Sequence, residues 1–523
     1  MVIAGILLLL LTASAVSLFL RYKGVRLAYI WMVFILTTML VWLLLFIIQP
    51  EKISPLVVKN WIKIGSTPVD LILEMNDLNW PISISYFTIL ISFLLTSIVH
   101  LQGNKSLYAW VEMTILVFSG WLVILAGDYW SILITWTLID FVELLFHLKY
   151  KMLDPDRFYL HFLGKFIGSM LLVYGISISF QVNPQSLFGN NIKGVGIVIL
   201  LAAILHSGIL SNIQIKLSKK SYFKISPIIL RIISFTASFY LLTYIADYRL
   251  SFLSGIIIRI LFFVTAMLGA YRWAKGLDES YGIQELLLAF GAMVGYLYIT
   301  GAGEAIVYWL ILLLLPIGWL FLYSDRDSRI NIFWFPCIFF MSGLPFSLTF
   351  QGLQEFLIRN NFIDLLFMTL PVIIIISGYI KHALKKRGKF NYLEPWYQLF
   401  YLIGLFLPLI SMSAMALKNI WPLIDGFNSW WIGSVILSLS IMVYFYQIKS
   451  KSKIIEFKNI GEFRIGSFSI SFHRMRIISE KISFFLETFL TFISKLFEGT
   501  GGILWAVVLF ALFMTIIEFQ GGT

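Results

Sequence analysis

Met341-Ser342-Gly343-Leu344-Pro345 stands in the middle of an apolar run that extends over about 330–352. A run of that length can cross the hydrocarbon core of a bilayer as a helix, which needs about 20 residues. Gly loosens such a helix, and Pro removes a backbone donor and clashes with the preceding turn. The stretch therefore predicts a spanning helix broken part-way across the membrane. A second break is spelled by Leu205-His206-Ser207-Gly208, inside the apolar run 192–215. The two Ser-Gly pairs are 135 residues and five spans apart. Broken helices at matching places in two halves point to a transporter built from repeats, with its ion site near the breaks. An odd number of spans between the copies inverts the second copy. Chance is the competing explanation, because Pro316, Pro371 and Pro408 also lie in apolar runs.

Outward from these breaks, sixteen apolar runs are candidate spans: about 1–20, 27–49, 82–101, 107–126, 128–147, 160–180, 192–215, 227–247, 250–271, 281–300, 304–323, 330–352, 362–381, 395–417, 430–448 and 502–519. The predicted fold class is an all-α polytopic membrane protein, with inverted five-helix repeats at about 107–247 and 250–381 inside a bundle over 1–448. Composition agrees. The 523 residues are 59% hydrophobic and 13% charged, against about 25% charged in soluble proteins. Too few charges are present to cover a water-facing surface. Ala13-Ser14-Ala15 has the spacing of a signal cleavage site, but no basic region precedes it and the apolar run continues to Leu20, which favours a retained span. Cys337 is the only cysteine, which excludes a disulfide framework and a Cys-ligated zinc or iron–sulfur centre. Gly194-Val195-Gly196 and Gly301-Ala302-Gly303 lack the rest of a dinucleotide fingerprint. No cofactor is expected, and any redox chemistry belongs to another subunit.

The net charge of +12 reads as topology rather than nucleic-acid binding, because Lys and Arg collect on the cytoplasmic side of membrane proteins. Loops after odd-numbered spans hold 20 of the 39 basic residues, and loops after even-numbered spans hold 7. This alternation predicts a protein of the cell (inner) membrane with its N-terminus outside and its basic loops in the cytoplasm. Residues 449–500 read as a basic linker followed by an amphipathic helix, with Ile478, Ile482, Phe485, Phe489, Ile493 and Leu496 at helical spacing. That helix suits either a lateral arm touching a neighbouring subunit or a juxtamembrane helix on its own bundle. Residues 501–523 read as a terminal anchor.

Charges inside a bilayer are costly and usually face a bundle interior or a water path. The fifth span carries Asp140, Glu143 and His147 at i, i+3 and i+7, on one helical face. The sixth opens with His161 and Lys165. The seventh has His206, the eighth Arg231, the ninth Arg259 and the tenth Glu285, and Glu355 follows the break of the twelfth. Carboxylate, Lys and His groups in reach of one another are what a proton relay needs. Arg keeps its proton, so Arg231 and Arg259 read as fixed charges or partners of carboxylates. Each residue also has a plainer role. Glu143, His147 and His161 lie near the cytoplasmic boundary and suit water-facing groups. Lys165 can snorkel, His206 can be a helix-packing histidine, and Glu285 and Glu355 suit interfacial anchors. Asp140, more than two turns into its span, is the hardest to set aside.

With these residues in view, the layout resembles the antiporter-like membrane subunits of proton-pumping NADH:quinone oxidoreductase (complex I), shared with multisubunit sodium/proton antiporters and membrane-bound hydrogenases. That family has fourteen core helices in two inverted five-helix repeats, with broken seventh and twelfth helices. Longer members add a lateral helix and an anchor. Gly343-Leu344-Pro345 matches the family motif on the twelfth helix, followed here by Thr349-Phe350 and Leu353-Gln354-Glu355. Elsewhere the motifs are eroded. Trp136-Thr137 stands where the family has Trp-Glu, with Asp140 one turn on. His206-Ser207-Gly208 replaces Lys-Ser-Ala-Gln, and Ile229-Leu230-Arg231 replaces Leu-Leu-His. The terminal Glu498-Gly499-Thr500-Gly501-Gly502-Ile503-Leu504-Trp505 also looks like tails in some members.

The resemblance implies a membrane subunit that translocates protons or sodium ions within a larger complex, with other membrane subunits and the lipid bilayer as its partners and no nucleic acid. The relay candidates are Asp140, Glu143, Lys165, His206, Glu285 and Glu355. The helix breaks are Ser207, Gly208, Gly343 and Pro345, and Arg231 is a fixed charge. Two readings compete with a conducting subunit. One is a degenerate scaffold that holds such a complex together. The other is a glycan flippase or polymerase, which usually carries larger polar loops than the short ones here.

Overall fold

The computed structural model describes residues 2–48, 50–64, 67–100, 104–150, 155–182, 193–209, 225–245, 250, 252–276, 279–323, 333–359, 362–385, 394–418 and 430–457. Thirteen of the described helices are long and apolar enough to cross a membrane, and the chain is an integral membrane protein. The first half runs through α1 (Val2–Tyr22), α2 (Leu27–Ile47), α3 (Asn79–Thr96), α4 (Asn104–Leu125), α5 (Tyr129–Tyr150), α6 (Pro155–Val182), α7 (Lys193–His206) and α8 (Ile225–Tyr240). The second half has α9 (Phe252–Lys275), α10 (Glu279–Ile299) and α11 (Gly303–Leu312), which passes through a π-helical turn at Leu313–Ile317 into α12 (Gly318–Leu322). Then come α13 (Trp334–Met341), α14 (Leu348–Arg359), α15 (Phe362–Ala383), α16 (Pro395–Lys418) and α17 (Trp430–Phe457).

Both breaks are present. α7 ends at His206, and Gly208 has φ +66°. α13 ends at Met341, and Gly343 has φ +77°. This left-handed backbone costs Gly little and other residues more. At each break the Ser hydroxyl bonds back to a carbonyl three residues earlier, Ser207 to Ile204 (2.7 Å) and Ser342 to Phe339 (2.8 Å). The second break is further held by Thr349, whose Oγ1 accepts from the Gly343 N–H (2.9 Å) and donates to the Phe340 carbonyl (2.7 Å). The loop that joins α13 to α14 contains Pro345.

α3, α8 and the α11–α12 rod are enclosed by other helices, whereas α1, α2, α9 and α17 present wide apolar faces. Several α3 hydroxyls are satisfied by the helix's own turns. Ser83 donates to the Asn79 carbonyl (2.8 Å), Thr88 to that of Ile84 (2.8 Å) and Thr96 to that of Ser92 (2.7 Å). No side-chain polar atom of those three residues is left for the apolar interior to desolvate unpaired.

Two features depart from the sequence reading. An antiparallel hairpin, β1 (Leu56–Ile64) and β2 (Thr67–Leu73), occupies the connection between α2 and α3 in an otherwise helical chain. It is fastened to the α4–α5 turn by bonds from the Ile72 N–H to Ser131 Oγ (2.8 Å) and from the Gly127 N–H to the Ile72 carbonyl (2.8 Å). Its strands are nine and seven residues long, but the register shifts between Val58 and Ile62, which leaves no clean alternation to read against the stronger helical pattern around them. In addition, α17 continues to Phe457, so residues 449–457, assigned to a linker, are helical. The rest of the expected lateral helix and the anchor at 501–523 lie outside the described residues.

Candidate functional site

The ionisable face of α5 meets three neighbours. α6 supplies His161 and Lys165, α7 supplies His206, and α8 supplies Arg231, Ser234 and Ser238. On α8 these last three recur at i, i+3 and i+7, the spacing of Asp140, Glu143 and His147 on α5. Two helices thus present polar stripes of equal period toward each other. α6 reaches α7 closely because Gly164 and Gly168, four residues apart, carry no side chain where they cross it. A Cβ on Gly168 would lie 2.8 Å from the His206 backbone nitrogen. This is the small-residue device by which membrane helices approach.

Lys165 is the hub, and it is buried. Its ammonium donates to Asp140 Oδ1 (2.7 Å) and Ser234 Oγ (3.1 Å), and it lies 2.9 Å from Glu143 Oε2. Three acceptors match the three donors of an ammonium. Ser234 in turn donates to Glu143 Oε2 (2.9 Å). The other Glu143 oxygen lies 2.9 Å from His161 Nε2, 3.5 Å from His147 Nε2 and 3.8 Å from Arg231 Nη1. Asp140 uses its second oxygen toward His206 Nε2 (3.1 Å), and His206 Nδ1 lies 2.8 Å from Ser238 Oγ. The His206 ring is stacked on Trp136, centroids 3.7 Å apart and planes 12° from parallel. Gly208 completes the enclosure, since a Cβ there would lie 2.7 Å from His161 Nδ1 and 3.2 Å from Arg231 Nη1. The first break is therefore filled by two cationic or cationisable side chains.

Two carboxylates, one ammonium, one guanidinium and three imidazoles thus form one connected cluster. With Asp140, Glu143, Lys165 and Arg231 ionised, the fixed charges cancel and the imidazoles carry the variable charge. Buried ions persist when paired; Asp140, Glu143 and Lys165 are hydrogen-bonded as well, whereas Arg231 approaches Glu143 only to 3.8 Å.

Of the expected site residues, Asp140, Glu143, Lys165, His206 and Arg231 come together here, with Ser207 and Gly208 at the edge. Glu143, His147 and His161 are buried rather than water-facing, and Lys165 does not snorkel. α6 and α8 close over the end of α5 where the sequence alone suggests a boundary. Glu285 is apart. It is partly exposed on α10 and pairs with Arg272 at 3.6 Å. Glu355 falls on α14, with its side chain outside the described residues. Gly343 and Pro345 stand at the second break, where no such cluster lies among the described residues.

Sequence reasoning missed Ser234, Ser238 and the stacking role of Trp136. The signal was there in the i, i+3, i+7 spacing from Arg231. It also missed Asp364, which accepts from Arg259 Nη1 (3.1 Å) and from the Tyr296 hydroxyl at one end of the second half. Away from the spans, Asp128 caps α5 by accepting from the Ser131 N–H (2.7 Å). Burial raises its carboxyl above the usual range, and burial together with Asp128 does the same to Glu74.

No family model and no curated protein matches the chain by sequence. Solved structures match its fold. A chain of the Mrp complex from Dietzia sp. DQ12-45-1b superposes with a TM-score of 0.63 at 13% identity, over 100% of this chain and 63% of that one. A chain of the membrane-bound sulfane sulfur reductase, an archaeal respiratory membrane complex, gives 0.56 at 16% identity, over 79% of this chain and 77% of that one. A chain of respiratory complex I from Thermus thermophilus gives 0.54 at 11% identity, over 78% of this chain and 97% of that one. At these identities the likeness is one of fold. The chain is an all-α polytopic membrane protein that shares its fold with chains of these three membrane complexes.

Proposed function

We propose that this chain is a membrane subunit of a multisubunit ion-translocating complex and that its first half carries a proton relay. In this reading the relay runs from His161 and Glu143 through Lys165 and Asp140 to His206, with Arg231 as a fixed counter-charge. The observation that carries it is the unbroken set of contacts around Lys165, which links two carboxylates and, through them, His161 and His206. Such a chain passes a change of protonation from one group to the next over distances of a hydrogen bond. The positive-inside pattern puts the His161 end on the cytoplasmic side. The fold neighbours are subunits of respiratory and Mrp complexes, which supports membrane partner subunits and an external driving reaction. The proton is preferred to sodium, which takes oxygen ligands, because the cluster is rich in titratable nitrogen and its carboxylate oxygens are already engaged by Lys165, His161, His206 and Ser234.

The second reading is a degenerate, non-conducting scaffold subunit of such a complex, favoured by the second half, where Arg259–Asp364 and Arg272–Glu285 pair near helix ends. Reconstitution of the complex in proteoliposomes tests the proposal. Asp140→Asn and His206→Gln are expected to remove coupled proton flux with normal assembly. Unchanged flux would overturn it, and lost assembly without a specific flux defect would favour the scaffold.

A further inference from the structure

The hydrogen bonds around His206 do not close with a single arrangement of protons. Asp140, held by Lys165, is an acceptor, so His206 Nε2 carries a proton and donates to it. Ser238 Oγ has one proton and two possible acceptors, each at 2.8 Å: the Ser234 carbonyl and His206 Nδ1. When the hydroxyl donates to the carbonyl, Nδ1 must supply the proton of the other bond, and the ring is imidazolium. When the ring is neutral, Nδ1 has a lone pair, and the hydroxyl must turn to it. The Ser234 carbonyl then still accepts the helical bond from the Ser238 N–H, as any carbonyl four residues back does.

We propose that Ser238 is the positioning residue that lets His206 change charge inside the bundle, by switching its hydroxyl between the Ser234 carbonyl and His206 Nδ1. Uptake transfers one proton from a hydronium ion to the Nδ1 lone pair, leaving water. An N–H bond forms, and the Ser238 O–H bond swings without breaking. Release reverses both. In either state every polar atom of the ring is paired, so neither state pays the penalty of an unsatisfied buried group. Trp136 contributes by covering one face of the ring. The stacking fixes the plane of the ring, with Nδ1 toward Ser238 and Nε2 toward Asp140, and an indole face tolerates a cation. Among the described residues, the charged and titratable groups around the ring are Asp140 and Glu143 from α5, Lys165 and His161 from α6, and Arg231 from α8. α10 brings the uncharged Gln284, which donates to the Ile209 carbonyl (2.7 Å).

This inference rests on the relay reading, and its test separates the two. The full-length chain is isolated with its native partners and labelled with 15N-histidine. The chain holds six histidines, and His206→Gln assigns the His206 signal by difference. In the unmodified protein, His206 is expected to move between an Nε2–H imidazole and an imidazolium as pH is lowered. In Ser238→Ala it is expected to stay in one form across the same range, with proton flux reduced at least about tenfold. Ser238→Thr, which keeps the hydroxyl, restores both. Titration of His206 in Ser238→Ala like that of the unmodified protein would overturn the inference. If Asp140→Asn abolishes flux and Ser238→Ala does not, the relay stands and the switch falls. If no variant affects flux but Ser238→Ala still freezes the His206 signal, the switch stands and the relay falls.

Discussion

The two broken helices share a backbone and differ in what fills the break. At Gly208 the space is taken by the His161 ring and the Arg231 guanidinium, both reaching toward Glu143. At Gly343 it is taken by the Leu353 side chain and by the backbone of Gly433 on α17, packed against it without a side chain between. The first half thus uses its break to admit ionisable groups, and the second uses the same device to seat a helix. The rest of each half follows suit. The centre of α5–α8 holds the cluster around Lys165. In α9–α15, carboxylates and cations pair near helix ends, as in Arg259–Asp364 and Arg272–Glu285. A helix break is therefore a permission and not a function. The residues within a few ångströms of it decide which use is made.

That contrast can be broken most severely at Lys165. Lys165→Ala leaves Asp140 and Glu143 buried without their ammonium, which should cost about 3–5 kcal/mol. Thermal unfolding of the purified complex should show a large loss, with flux absent. The glycines give the next largest effect. Gly208→Ala and Gly343→Ala each force a side chain into left-handed backbone, at about 1–3 kcal/mol. Only Gly208→Ala also pushes on His161 and Arg231, so stability should fall in both variants but flux in the first alone. Equal flux loss in the two would erase the distinction between the halves.

Much of this plan was legible in the sequence. The spans follow from composition, the breaks from Gly and Pro, and the α5 face from the spacing of Asp140, Glu143 and His147. What stayed hidden depends on distance across the chain. Nothing local says that Lys165 reaches back to Asp140 and Glu143, or that Arg259 meets Asp364, 105 residues later. Hydroxyls on apolar helices usually bond to their own turns, so the i, i+3, i+7 spacing of Arg231, Ser234 and Ser238 was visible but easily passed over. The boundary reading of Glu143, His147 and His161 went astray because burial there is set by α6 and α8 closing over α5. The β-hairpin was hidden for a similar reason, since its anchor points are Ser131 and Gly127 on another element.

Smaller effects sharpen the comparison from the second half. Asp364→Asn weakens the bonds from Arg259 and Tyr296 and should cost about 1–3 kcal/mol, read by thermal unfolding, with flux retained. Glu285→Gln removes a partly exposed pair and should change stability by no more than about 0.5 kcal/mol, again with flux unchanged. A flux defect in either variant would place ionisable function in both halves.

The most direct measurement is coupled proton flux in proteoliposomes for the complex carrying Asp140→Asn beside the complex carrying Asp364→Asn. Asp140 belongs to the cluster of the first half and Asp364 to an end-pair of the second. The account predicts loss of flux for Asp140→Asn, with subunits assembled as in the unmodified complex, and near-normal flux for Asp364→Asn. Normal flux for Asp140→Asn, or equal loss in both, would contradict it.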